Sequence, residues 1–248
     1  MNKLIKAEYY RSLRSGIYFP IFVICGIFAL LFPFLMGETD SETDNLYYHL
    51  MNYSQGSGIL IVAYVGIILS AMIGNMYQNR TYYYEIMNGS NTHHIILSKL
   101  VVYGSYAFAV IIIPAIIYHV IIGVDKGTGG MESPCLAAVL GTIIILNIIF
   151  FTVFVTMLIR HVIAGAILMY SYSMGVTMVY MFVSDEALCE NAKTMEKIFG
   201  IFPQVQILNL AQLEYTGGYI ATVIGSFIVI FALMYTLTYI SYKKKNFR

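Results

Sequence analysis

Few residues in this chain have the type and spacing to do covalent chemistry, and they are not arranged for it. His93 and His94 are adjacent, so they cannot share a helix face as the two histidines of an H-E-x-x-H zinc site do. No such motif occurs elsewhere, no metal-ligand cluster is legible, and no Walker phosphate-binding loop is present. The chain is therefore not expected to be an enzyme, to hold a cofactor or metal, or to hydrolyse nucleotide itself. The three cysteines give one candidate bond, between Cys135 and Cys189, which both fall near the same side; two unpaired small apolar residues fit better. Cys25 stands apart in the first apolar stretch.

The elements that carry these residues explain the scarcity. Six apolar stretches run over about 16–36, 56–74, 100–124, 134–159, 162–184 and 217–242. Each is long enough to cross a hydrocarbon core of about 30 Å at about 1.5 Å per helical residue. Hydrophobic residues make up 59% of the chain and charged ones 11%, against about 25% charged in a typical soluble domain. The expected fold class is all-α integral membrane, one membrane domain over residues 1–248 with six transmembrane helices. By these boundaries the span interiors hold no Asp, Glu, Lys or Arg. Their most polar members are His119 near the outer end of the third span and Asn147 in the middle of the fourth. An ion-coupled carrier ordinarily needs an intramembrane carboxylate or a broken helix, so that class ranks low.

Charge sorts by side. With the N-terminus inside, the inner segments hold Lys3, Lys6, Arg11, Arg14, Arg80, Lys99, Arg160, Lys243, Lys244, Lys245 and Arg248, leaving Lys126, Lys193 and Lys197 outside. Only two acids, Glu8 and Glu85, lie inside. The positive-inside rule then places both termini in the cytoplasm. The net charge of +1 conceals this polarity and gives no reason to expect nucleic acid as a partner.

Residues 1–15 read as an amphipathic helix on the inner surface, with Ile5, Tyr9 and Leu13 on one face and Lys3, Lys6, Tyr10 and Arg14 on another, in contact with membrane lipid. The first outer loop, 37–55, is acidic and then tyrosine-rich. The longest inner connection, 75–99, contains a helix-like run at Thr81–Met87, stopped by Asn88-Gly89, with Asn91 or Thr92 as the cap of the next helix. The outer segment 185–216 pairs a charged helical run, Glu186–Lys197, with an apolar run, Ile198–Leu213, broken at Gly200 and Pro203. It fits a re-entrant helical segment rather than a seventh span.

Small residues at Gly66, Ser70 and Gly74 stripe the second span, and Ser171 and Gly175 do so on the fifth, where close helix approach would serve packing within one chain or between two. Tyr170, Met174, Met178 and Met181 line one face of the fifth span, which suits lipid, core packing or an adaptable apolar path.

The inner connection carries a resemblance. Gln78-Asn79-Arg80-Thr81, then Ile86-Met87, Gly89-Ser90, Ile95 and Leu97-Ser98-Lys99 resemble the loop after the second span in permease subunits of bacterial ABC exporters. This is the type-2 permease family of lantibiotic-immunity, bacitracin-resistance and toxin-peptide exporters, whose pattern is roughly E-N-G-T, an apolar pair, G-x-S-R and I-x-L-S. Thr81, Gly89, Ile95 and Ser98 match; Gln78 stands for Glu, Arg80 for Gly, and Thr92 near Arg. The resemblance covers essentially the whole chain and implies a coupling helix seated on an ATP-binding subunit. Its candidate coupling residues are Gln78, Arg80, Thr81, Tyr84, Glu85, Gly89, Ser90 and Thr92. It further implies two ATPase copies that bind ATP and Mg, and a second permease chain, as a homodimer or with a sister permease. Tyr170, Met174, Met178, Met181, Ser171 and Gly175 would lie at the pathway or dimer interface. The implied setting is a bacterial cytoplasmic membrane and the implied cargo an amphipathic peptide. A lipid or drug exporter is the near alternative, and a non-transport accessory or sensory module the alternative of another class.

Overall fold

The computed structural model describes residues 1–14, 45–54, 58–87, 89–184 and 192–245, with seven isolated positions between 20 and 31. Most of the first expected span, the acidic part of the first outer loop, Cys25, Asn88, Cys189 and the side chain of Tyr84 therefore lie outside the described residues.

The described elements are helical. In chain order they are α1 (Asn2–Leu13), α2 (Leu46–Asn52), α3 (Gly58–Gln78), α4 (Tyr82–Met87) and α5 (Thr92–Ala107). A π-helical turn (Phe108–Ile112) leads into α6 (Ile113–Lys126), followed by α7 (Pro134–Ile159), α8 (Val162–Val183), α9 (Ala192–Phe199), α10 (Pro203–Leu208) and α11 (Gly217–Lys245). Among the described residues there is no strand. Four helical stretches are long and apolar enough to cross a membrane: Thr92–Lys126, Pro134–Ile159, Val162–Val183 and Gly217–Lys243. This is the architecture of an all-α membrane-embedded protein.

The apolar helices divide the work of packing. In α7, 61% of the most apolar stretch is buried, against 22% in α8 and 17% in α11, so α7 is the central post and the other two are peripheral. Around α7 pack α3, α5, α8, α10 and α11. Residues such as Ile144, Ile149, Val153 and Met157 fill the centre, and Phe150 and Phe154 meet Phe231 edge-on. Lipid is as apolar as leucine, so close fit and polar bridges must hold helices together there. Both are present between α3, α7 and α8. A Cβ built on Gly74 would stand 2.6 Å from Val162 Cα, and Thr156 Oγ1 donates to Ser70 Oγ at 2.9 Å. The Gly66, Ser70 and Gly74 stripe is thus spent within one chain, with Gly66 facing Thr152.

The π turn has a local cause. Pro114 lacks an N–H and its ring crowds the carbonyl four residues back, so a regular α-helix cannot run through Val110–Pro114; the chain takes up one wider turn instead. Beyond it α6 packs against α2. The α7–α8 junction is as tight. Arg160 ends α7 with φ +59°, its guanidinium lies over the rings of Tyr77 and Tyr242, and His161 Nδ1 accepts from Ala164 N to cap α8.

Candidate functional site

The end of the bundle where α3, α4, α5 and α1 meet collects most of the polar side chains that sequence singled out. α3 stops in a Schellman turn, in which Arg80 N donates to the Tyr77 carbonyl at 3.1 Å and Thr81 N to the Met76 carbonyl at 3.0 Å. Thr81 Oγ1 adds a bond to that same carbonyl. The motif requires a left-handed residue, ordinarily glycine, at the position held here by Arg80, whose φ is +57°. α4 stops in the same way: Gly89 N donates to the Ile86 carbonyl, Ser90 N to that of Glu85, and Gly89 has φ +70°. Asn91 then caps α5 by accepting from His93 N, so the cap is Asn91 rather than Thr92.

Between these two turns the C-terminal half of α4 has a buried side and an exposed side. Met87 is 80% exposed and Gly89 has open space around its Cα, whereas Glu85 is buried. Glu85 belongs to a cluster of four charges. Lys99 Nζ, wholly buried in the second turn of α5, lies 2.5 Å from Glu8 Oε1 and 3.3 Å from Glu85 Oε2. Arg11 Nη2 lies 3.2 Å from Glu85 Oε1 and Arg11 Nη1 3.9 Å from Glu8 Oε2. Two acids and two bases cancel, which is what allows the group to be buried at all. Burial alone would raise the Glu8 carboxyl, but the Lys99 and Arg11 charges and hydrogen bonds outweigh it and hold Glu8 below its ordinary value of 4.5. Glu85 goes the other way. Burial raises it above 4.5, and the neighbouring Glu8 charge adds to the rise against the pull of Lys99.

This cluster fixes which side of α1 meets the bundle. Its bundle-facing side carries Glu8 and Ser12, while Leu13 is exposed. Ser12 Oγ pairs with Tyr106 Oη and Tyr9 Oη with Ser105 Oγ, both at 2.5 Å, tying α1 to α5 through polar contacts. A cavity of about 200 Å³ beside the cluster is lined by Glu8, Arg11, Ser12, Asn75, Asn79 and Thr81, among others.

Of the expected coupling residues, Gln78 and Arg80 are exposed, Thr81, Ser90 and Thr92 half-buried, Gly89 exposed and Glu85 buried. The fifth-span candidates fall on an outward face of α8. Tyr170, Met178 and Met181 are 50–60% exposed, Ser171 and Gly175 are exposed, Met174 is half-buried, and nothing lies within 4 Å of a Cβ built on Gly175. The two groups lie on different elements.

Sequence reading passed over Glu8, Arg11 and Lys99 as a unit. The available signal was that Glu8 and Glu85 are the only acids assigned to an otherwise basic side. Charge sorting puts Lys99 in the inner connection, whereas it lies within the continuous helical stretch Thr92–Lys126. No family model matches this chain, and neither a curated protein nor a solved structure does.

Proposed function

We propose that this chain is the transmembrane permease subunit of an ATP-driven ABC exporter, with 75–99 as its coupling segment. The observation that carries the reading is the construction of α4: a short helix between two Schellman turns, exposed at Met87 and Gly89 and rooted by Glu85 in the buried charge cluster. Such an element can receive a push on its exposed side and pass it to α1 and α5 through Glu85. The left-handed φ of Arg80 supports the resemblance on physical grounds, because it falls where the exporter pattern has glycine. In this reading two ATPase subunits bind ATP and Mg and grip the segment. Two permease chains pair through the apolar Tyr and Met face of α8, and an amphipathic peptide leaves along it. The setting is a bacterial cytoplasmic membrane with both termini inside.

The test is co-purification with the ATP-binding protein encoded beside it, followed by ATPase rate with and without amphipathic peptides. We expect a stable complex whose rate responds to peptide. Thr81→Arg and Gly89→Pro should abolish the response while the chain still inserts. An ATP-binding partner whose rate is indifferent to the membrane chain would instead favour an accessory module, and a response to lipids or drugs but not peptides the lipid or drug exporter.

A further inference from the structure

A second cavity lies at the opposite end of the bundle, away from the charge cluster. It measures about 460 Å³ and sits between α6 and α7, with α2 and Leu210 closing its far side. That volume is in the range of small-molecule sites, roughly 300–1,000 Å³. Its residues explain why it is open: Pro114 and the π turn send α6 to pack against α2, and Ala137, Ala138 and Gly141 leave the facing side of α7 without bulk. Val120 and Val124, 57% and 84% exposed, stand on its rim, so it opens sideways from an apolar helix surface.

The walls are apolar and, among the described residues, carry no Asp, Glu, Lys or Arg. A charged headgroup would find no counter-ion there. One polar side chain in the wall is incompletely satisfied. His119 Nδ1 lies 2.6 Å from the Ala115 carbonyl; a carbonyl only accepts, so Nδ1 carries the proton and donates. Nε2 is then an acceptor, and it is buried with no hydrogen-bond partner among the described residues. The rings of Tyr53 and Tyr118 stand edge-on to the imidazole, each 5.2 Å away between centroids, and fix its plane.

We infer that this cavity is a binding site for an uncharged, membrane-partitioned long-chain alcohol, whose apolar body fills the space between α6 and α7 and whose hydroxyl donates to His119 Nε2. The site is independent of any ATPase and of the coupling segment. It accounts for a buried acceptor that would otherwise cost free energy in an apolar wall.

The full chain, reconstituted in phosphatidylcholine nanodiscs, would be photolabelled with a diazirine-bearing dodecanol, and the labelled peptides located by mass spectrometry. Label should fall within residues 46–53, 112–145 or at Leu210, and unlabelled dodecanol should compete about tenfold better than dodecyl methyl ether, which lacks the donor. His119→Phe should erase that difference, and Ala138→Phe should suppress labelling. An arm with dioleoylglycerol in the bilayer separates the sources: displacement of the probe assigns a membrane lipid, and its absence a free alkanol. Label elsewhere, label undiminished in Ala138→Phe, or equal competition by alcohol and ether overturns the assignment. The ratio in the unaltered protein decides even where a variant fails to accumulate.

Discussion

Glu8 and Glu85 share one lysine yet are driven in opposite directions, and this has a measurable signature. Glu85 is raised in the folded protein, so above 4.5 the folded state holds a proton that the unfolded state has released; stability then rises as pH falls toward 4.5. Glu8 is lowered, so below 4.5 the unfolded state takes up the extra proton and stability falls. We expect melting temperature in detergent to pass through a maximum on the acid side of neutrality. Glu85→Gln should flatten the neutral limb and Glu8→Gln the acid limb; a profile unchanged in both variants would show that the cluster does not set it. Lys99→Met, leaving two buried carboxylates with Arg11 alone, should destabilise by about 3–5 kcal/mol. Arg80 offers the opposite case. A left-handed non-glycine residue costs about 1–2 kcal/mol, and Arg80 is exposed, so Arg80→Gly should raise stability by about 1 kcal/mol in the same melting assay.

At the scale of the element, the hairpin of α9 and α10 depends on one side chain. Gln206, buried in α10, donates through Nε2 to the Gly200 carbonyl at 3.0 Å and to Ser226 Oγ at 2.9 Å, while its own carbonyl accepts from Tyr219 Oη at 2.7 Å. Gln206→Leu removes both side-chain bonds and leaves the Gly200 carbonyl without this donor, while Ser226 keeps its bond to the Val223 carbonyl; the cost is about 1–3 kcal/mol. Hydrogen exchange should accelerate over Gly200–Leu208 and stay unchanged in α7. Element identity was legible wherever periodicity and punctuation agreed. The apolar stretches 134–159 and 162–184 coincide with α7 and α8 almost to the residue, because Pro134 starts one and the Arg160-His161 turn separates them. The break at Gly200 to Pro203 was legible for the same reason. What could not be read was which face of α1 turns inward. Apolar spacing marks Ile5, Tyr9 and Leu13 as a face for lipid, and the side that meets the bundle is set by a buried lysine on α5 that draws in Glu8. The cavity beside His119 was equally hidden, since it follows from the path of α6 after Pro114 and not from any single residue type.

For the molecule as a whole, orientation and pairing are the properties to measure. A cysteine at Asp40 should label from outside intact cells and one at Asn246 should not; the reverse pattern would overturn the inside-positive arrangement. Cysteines at Met178, on the outward face of α8, should cross-link two copies in native membranes, whereas cysteines at Ile228 on α11, 60% exposed on another helix, should not. Cross-linking at Ile228 alone would move the pairing surface. The meeting of Gly74 with the first residue of α8 bears on both ends of this arrangement. At that point two main chains touch with no side chain between them, at the root of the helix that leads into α4 and of the helix that carries the Tyr and Met face. A side chain can change rotamer and absorb a small displacement; bare backbone cannot. Here the joint has no slack, and even a methyl group on Gly74 would force the two helices apart.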